Sequence, residues 1–284
     1  MTTQTESTSL SRTKVVSSFR KSLIRAMRDE VKAINSHREL LRYMTSTALQ
    51  TTYSGTFFGY AWWLLDPFLQ MSVYVVLVSV IMKRGGENPA LFIFISVLAW
   101  KYFNAGVRNA IGFTQAKGGL MRQVAFPHSL LPLSADIAET FRFGVGLIVI
   151  VAFSLPFGVY PSAVSLMVLP VAAVQLLFTL GLAYLLSALN VLFRDIFNLT
   201  QYAFQLWFYM SPALYSLNSV HGLLRSFMIL NPFATLFDDY HKILMDHQMP
   251  SLTGLGYVGI GSFLTLVVGF ASFIRLQPLF AKVQ

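Results

Sequence analysis

Hydrophobic and polar positions alternate along this chain in blocks rather than in single steps. Residues 1–14 are rich in Ser and Thr, poor in apolar side chains, and read as a disordered tail. In the next stretch Val16, Phe19, Leu23, Met27, Val31 and Ile34 recur every three or four residues. That spacing predicts a helix with one apolar face. Arg20, Lys21, Arg25, Arg28 and Lys32 occupy much of the rest. A basic amphipathic helix suits a membrane interface, cations toward anionic headgroups. The alternative is a helix packed on a soluble partner. Charge runs through residues 15–45, which does not fit a secretory signal. Ser36-His37-Arg38-Glu39 has the form of a capping box and predicts a new helix start near residue 37.

Long apolar spans follow. The first covers about 62–82, with Asp66-Pro67 near its start and Trp62-Trp63 at an interfacial position. Lys83 to Pro89 is a loop by its Gly, Pro and charge. The second covers about 90–113. From Phe143 to Phe193, 51 residues carry no formal charge. A single helix of that length far exceeds a core of about 30 Å at 1.5 Å per residue. Pro156, Gly158 and Pro161 divide it, so two antiparallel spans are predicted, about 133–157 and 163–189. The third carries Asp136, Glu139 and Arg142 near its start, spaced so that Glu139 reaches both neighbours. The fifth runs about 196–217, interrupted by Ser211-Pro212. His221–Leu230 and Phe233–Leu244 are too short to cross and read as re-entrant or interfacial half-helices within an outer region of about 218–250. The sixth runs about 251–274.

Composition agrees: 55% of the 284 residues are hydrophobic and 12% charged. Soluble domains carry about twice that charge. Cys is absent, which excludes disulfides and thiolate chemistry. The fold class expected is an all-α polytopic membrane protein of six spans. An interface region over 15–60, a transmembrane domain over 61–275 and a tail over 276–284 complete it. Nine Lys and Arg precede residue 43, and most others fall on the same side of the six-span layout. The positive-inside rule then places both termini in the cytoplasm.

Ionisable groups inside a bilayer are functional candidates. Lys101, Asn104 and Arg108 sit at i, i+3 and i+7, with Trp100 and Tyr102 beside them. This cationic stripe suits an anionic substrate such as a phosphate or pyrophosphate. Snorkelling, or pairing of Lys101 with Asp66 or Glu139, is the other reading. Tyr202, Trp207 and Tyr209 lie in an aromatic-dense fifth span, suited either to stacking on sugar rings or to helix packing. His241, Asp246 and His247, with Asp238 and Asp239, are spaced for a solvated face rather than a metal pair. No phosphate-loop motif, G-x-S-x-G or H-E-x-x-H occurs.

Five segments in order carry a resemblance. They are Tyr53 through Asp66-Pro67, Leu120 through Phe126-Pro127, Leu189 through Arg194-Asp195, Ser211-Pro212-Ala213-Leu214-Tyr215, and Leu230-Asn231-Pro232. Over about residues 38–280 the chain resembles the membrane subunit of type-2 ATP-binding-cassette exporters of O-antigen polysaccharides, teichoic acids and cell-wall galactans. It departs where the family has basic residues around Tyr53 (here Thr52 and Ser54) and Arg-Glu after Phe126-Pro127 (here His128-Ser129).

The resemblance implies a homodimer in the bacterial inner membrane with two copies of a separate ATPase. ATP and magnesium would be held by that partner. This chain would be a transport subunit, not an enzyme, with no cofactor or metal of its own and no nucleic-acid partner. It implies a coupling loop over about 114–132, with Arg122, Phe126, Pro127 and His128 at the ATPase. It also implies an inner gate near the interface helix, with Arg25, Arg28 and Tyr53, acting on a lipid-pyrophosphate-linked glycan. Arg194-Asp195 would either cap the junction of the fourth and fifth helices or touch the ATPase. An exporter of a drug or lipid with the same fold is an alternative. From other classes, a membrane glycosyltransferase or a secondary transporter is another.

Overall fold

The structure, a computed structural model, describes residues 23–51, 57–81, 83, 88–116, 126–215, 222, 228 and 230–283. Every regular element among them is helical. Helix α1 is described over 23–36 and α2 over Arg38–Thr51, with a turn at His37 between them. The helix start near residue 37 is there, but not by a capping box. Ser36 Oγ donates back to Ala33 O at 2.9 Å, and Glu39 pairs with Arg42 at 3.6 Å.

Helix α3 (Trp62–Val75) continues through a π-helical turn, Val76–Ile81. Then come α4 (Pro89–Ala116), α5 (Leu130–Ser154), α6 (Val168–Leu192), α7 (Ile196–Met210), α8 (Pro232–Leu244) and α9 (Leu252–Val283). The break between α5 and α6 uses the residues the sequence points to. A 3-10 turn, Leu155–Phe157, closes on Gly158 at φ 76°, and Ser162 with Ser165 forms a capping box that restarts the chain.

Among the described residues, four helices are long and apolar enough to cross a membrane: Pro89–Ala116, Leu130–Phe157, Ala163–Leu192 and Leu252–Leu279. Leu65–Ile81 is a shorter apolar helix. The helix over the fifth expected span ends at Met210, because Ser211 turns extended ahead of Pro212. Its 15 residues reach about 22 Å, less than a bilayer core. The chain is a multi-pass membrane protein.

Helix α4 is the centre. Of its apolar window 72% is buried, against 22–28% in the other three long helices. It packs on α3, α5, α6, α7 and α8. Around it sits an aromatic cluster of Trp100, Phe103, Phe178, Phe204, Trp207 and Phe233, mostly edge to face, the geometry that ring quadrupoles favour. Gln175 Nε2 donates to Ala99 O at 2.7 Å and its Oε1 accepts from the Tyr240 hydroxyl at 2.8 Å. That one amide joins α6, α4 and α8, as a membrane interior requires of its polar atoms.

Helix α1 spends its apolar face two ways. Met27 and Ile34 pack on Tyr184, Ala188 and Phe273 of α6 and α9, while Ile24 and Val31 remain exposed. Part of the amphipathic stripe therefore meets this chain itself, and an adjoining part is left for the surface.

Candidate functional site

Three polar stripes converge between α3, α4 and α7. Gln70 and Tyr74 lie one turn apart on α3, with Gln70 Nε2 donating to the Tyr74 hydroxyl at 3.4 Å. Gln201 and Gln205 lie one turn apart on α7. Lys101, Asn104 and Arg108 line α4. Together they border a cleft of about 380 Å³. Amides and cations on helical repeats within apolar helices are costly against lipid. A shared cleft gives them water and each other.

The two cations of the stripe differ. Lys101 Nζ is ion-paired with Asp66 of α3, the pairing alternative raised by the sequence. The Arg108 guanidinium lies over the Phe197 ring at 4.7 Å. Its Nη1 is buried with no hydrogen-bond partner among the described residues. Arg108 thus keeps donor capacity to spare among the described residues.

The aromatic candidates scatter. Trp100 is buried in the ring cluster, with an edge on the cleft. Tyr102 turns away, stacks on Phe143 at 4.7 Å and hydrogen-bonds Thr140 Oγ1 at 3.1 Å. Trp207 is half-buried and its Nε1 donates to Asn231 Oδ1 at 3.0 Å. Tyr202 and Tyr209 are exposed on α7.

A second, smaller cleft of about 110 Å³ lies across α4, bordered by Trp63, Asp66, Lys101, Asn109, Glu139 and Arg142. Glu139 pairs with Arg142 and accepts from Asn109 Nδ2 at 2.7 Å. Asp136 is not drawn into that pair. It is buried, and its Oδ1 has no hydrogen-bond partner among the described residues. Lys101 and Asn109 border both clefts.

The residues expected at the ATPase (Arg122, Phe126, Pro127, His128) and at the inner gate (Arg25, Arg28, Tyr53) are placed only in part. Arg122 and Tyr53 fall outside the described residues. Phe126 packs beside Met44, Leu130 and Leu131 and meets the His128 ring edge-on at 5.4 Å, while Pro127 is buried. Arg25 and Arg28 are exposed on α1. Ser129 was not a sequence candidate, yet it bridges three elements. Its Oγ donates to Glu30 Oε1 at 2.7 Å, and its carbonyl accepts from the Tyr184 hydroxyl at 3.1 Å.

Two motifs prove to be joined. Asn231 caps α8 by accepting from Phe233 N at 3.1 Å, and its Nδ2 donates to Ser211 Oγ at 2.8 Å. The Ser-Pro and Asn-Pro elements therefore form one hydrogen-bonded corner with Trp207. At the α6–α7 junction the cap is Asn190, whose Oδ1 accepts from Phe197 N at 3.0 Å. Asp195 makes no side-chain cap there.

The acidic and His-containing segment corrects the solvated-face expectation. Asp238 pairs with Lys242 at 2.5 Å and His247 is exposed, but Asp239 and His241 are buried. Helix α8 folds against α4, so His241 Nε2 meets Phe92 O and Ser96 Oγ, both at 3.0 Å, and its ring stacks on Phe92. Among the described residues no three His, Asp or Glu side chains are grouped to hold a metal.

Burial lowers the imidazole of His241 to about 4, below its ordinary value near 6.5. As pH falls through about 6.5 the unfolded chain takes up the proton first. The docking of α8 is therefore fully stable above that value and weakens toward pH 4. Thermal unfolding in detergent should show a midpoint that drops from pH 7 to pH 4.5. His241→Gln should flatten that drop; an equal drop in the variant would refute the assignment.

Comparison with known proteins adds the lineage. A family profile described as ABC-2 type transporter matches residues 37–245. The O-antigen export system permease protein RfbA of Myxococcus xanthus is 30% identical over 254 residues, covering 89% of this chain and 98% of that one. Two proteins of the same name from Klebsiella pneumoniae are 27% and 26% identical, each across 86% of this chain and 95% of their own length. With a match over most of its length and relatives aligned nearly end to end, the chain belongs to the ABC-2 type transporter family.

Proposed function

We propose that this chain is the membrane subunit of an ATP-driven exporter that moves a lipid-pyrophosphate-linked, O-antigen-type polysaccharide outward across a bacterial inner membrane. The carrying observation is the end-to-end alignment with proteins named for O-antigen export. In this reading two copies pair, and each docks one copy of a separate ATPase through the segment 114–132. In this reading the four long helices cross in full and the shorter α3 and α7 mark the remaining two of six spans, with both ends cytoplasmic by the distribution of Lys and Arg. Residues 15–60 form the interface region, and α8 belongs to the outer re-entrant region of about 218–250.

The cleft supports this reading chemically. Gln70, Asn104, Gln201 and Gln205 are neutral donors and acceptors matched to sugar hydroxyls, and Arg108 is matched to a phosphate oxygen. Exposed Gln201, Tyr202 and Gln205 on α7 are a poor lipid face. A second copy across the cleft would shelter them and complete a passage. Arg25 and Arg28 are free to meet anionic headgroups.

The test is export of glycan-lipid by vesicles holding this chain and its ATPase. Arg108→Gln is expected to reduce export roughly 10- to 100-fold, the loss of one charge-assisted contact, with assembly intact. Unchanged export would remove Arg108 from the pathway.

A further inference from the structure

We infer that Arg142 is a positioning residue for export: it locks the α1–α2 arm onto α5, so that the arm travels as one body with the helix leaving the coupling segment. The inference rests on the exporter reading above.

Three attachments hold the arm. At the start of α5, Ser129 Oγ donates to Glu30 Oε1 of α1 at 2.7 Å. Just beyond, Leu130 and Leu131 pack against Leu40, Leu41 and Met44 of α2. Thirteen residues after Ser129, about 20 Å along a helix, Arg142 Nη2 donates to Ala48 O at 3.1 Å and Leu49 O at 3.3 Å. Those carbonyls are in the last turn of α2. Through these two bonds one guanidinium on α5 holds the far end of α2.

Arg142 is itself held in place. It pairs with Glu139 one turn back, and it lies over the Trp63 ring at 5.1 Å. Glu139 is fixed in turn by Asn109 of α4. Both charged side chains are at most 10% exposed. A buried pair whose oxygens and donors are engaged on several helices has little freedom to slide. An ammonium could not replace it, since the planar fork serves several oxygens while stacking on an aromatic face. The chain thus ties the arm to α5 at two separated polar points with an apolar contact between. One point alone would leave a hinge; two make a rigid bracket.

The chain's lack of Cys makes the test clean. Met44→Cys/Leu131→Cys places one thiol pair between α2 and α5, in the full complex with its ATPase in vesicles. The pair is expected to oxidise, and the oxidised complex to export within about twofold of the reduced one. Failure to form the bond, or a block of export that reductant reverses, would overturn the inference. Arg142→Lys, made alongside, is expected to lower export at least tenfold while ATP hydrolysis stays within about twofold, because the drive is no longer passed to the arm. Equal loss of both activities, or loss of neither, would count against it. If the unaltered complex hydrolyses ATP but exports no glycan, the substrate reading fails separately. The disulfide is then read on hydrolysis: undiminished turnover supports the rigid arm and a reversible block overturns it.

Discussion

Gly269→Ala is expected to prevent this protein from reaching its folded state. A Cβ at Gly269 would lie 2.0 Å from Gly181 O and 2.9 Å from Gly181 C. The reverse change fares no better, since a Cβ at Gly181 would lie 2.5 Å from Leu266 N and 2.7 Å from its Cα. Every atom in the way is backbone. No side chain can rotate aside, so α6 and α9 would have to separate by more than an ångström along their main contact. Membrane helices associate largely through such close packing, because lipid offers no hydrophobic drive to bring them together. Overpacking ordinarily costs about 1–3 kcal/mol, and a forced backbone shift belongs at or above the top of that range. Tyr184, Ala188, Phe270 and Phe273 would lose their fit at the same interface. The measurement is the yield of monodisperse protein in mild detergent and its thermal midpoint. Gly256→Ala on α9 is the control, since a Cβ there meets nothing within 4 Å. Equal behaviour of the two variants would show that the α6–α9 approach is looser than described.

Glu139→Leu is expected to destabilise the protein by about 3–5 kcal/mol, the range for removing one member of a buried ion pair. The loss is greater than that of one contact. Arg142 would remain charged, largely buried and without its carboxylate, and Asn109 Nδ2 would lose its acceptor. Replacing both members with apolar side chains removes the stranded charge, and such double changes are often neutral. Glu139→Leu/Arg142→Leu should therefore be more stable than Glu139→Leu alone, although it gives up the hydrogen bonds to Ala48 and Leu49 of α2. Chemical denaturation in detergent of the parent, both single variants and the double variant measures the coupling. A double variant less stable than Glu139→Leu would mean that Arg142 is satisfied without Glu139.

The clearest sequence signals came from unbroken runs. Uncharged residues from Phe143 to Phe193, divided at Pro156 to Pro161, gave the α5–α6 pair with its turn in the expected place. Lys101, Asn104 and Arg108 were found because charge in an apolar span is rare, and they do share a cleft. Gln70, Gln201 and Gln205 carry the same signal more faintly, as amides one turn from another polar group. They escaped notice because an uncharged amide weighs little in a hydropathy pattern. His241 was misplaced for a different reason. Its neighbours Asp238, Lys242, Asp246 and His247 are polar, and only the docking of α8 on α4 shows that one face of that helix is inside. Spacing likewise made Asp195 a candidate cap, whereas Asn190 holds the position through a chain reversal that spacing does not encode.

By itself, then, the sequence determined the membrane character, the existence and rough limits of the apolar helices, the cationic stripe and the family motifs. These depend on composition and on local periodicity, which a one-dimensional string preserves. The tertiary structure alone decided that Lys101 is paired with Asp66 while Arg108 keeps a donor unpaired among the described residues. It alone decided that Ser211 meets Asn231, that Gly181 meets Gly269, and that Arg142 bonds to α2 from another helix. Each of those facts joins residues 20 to more than 90 positions apart in the chain. Hydrogen bonds, ion pairs and backbone contacts act over a few ångströms in space, and sequence distance carries no record of which groups the packed helices bring within that reach.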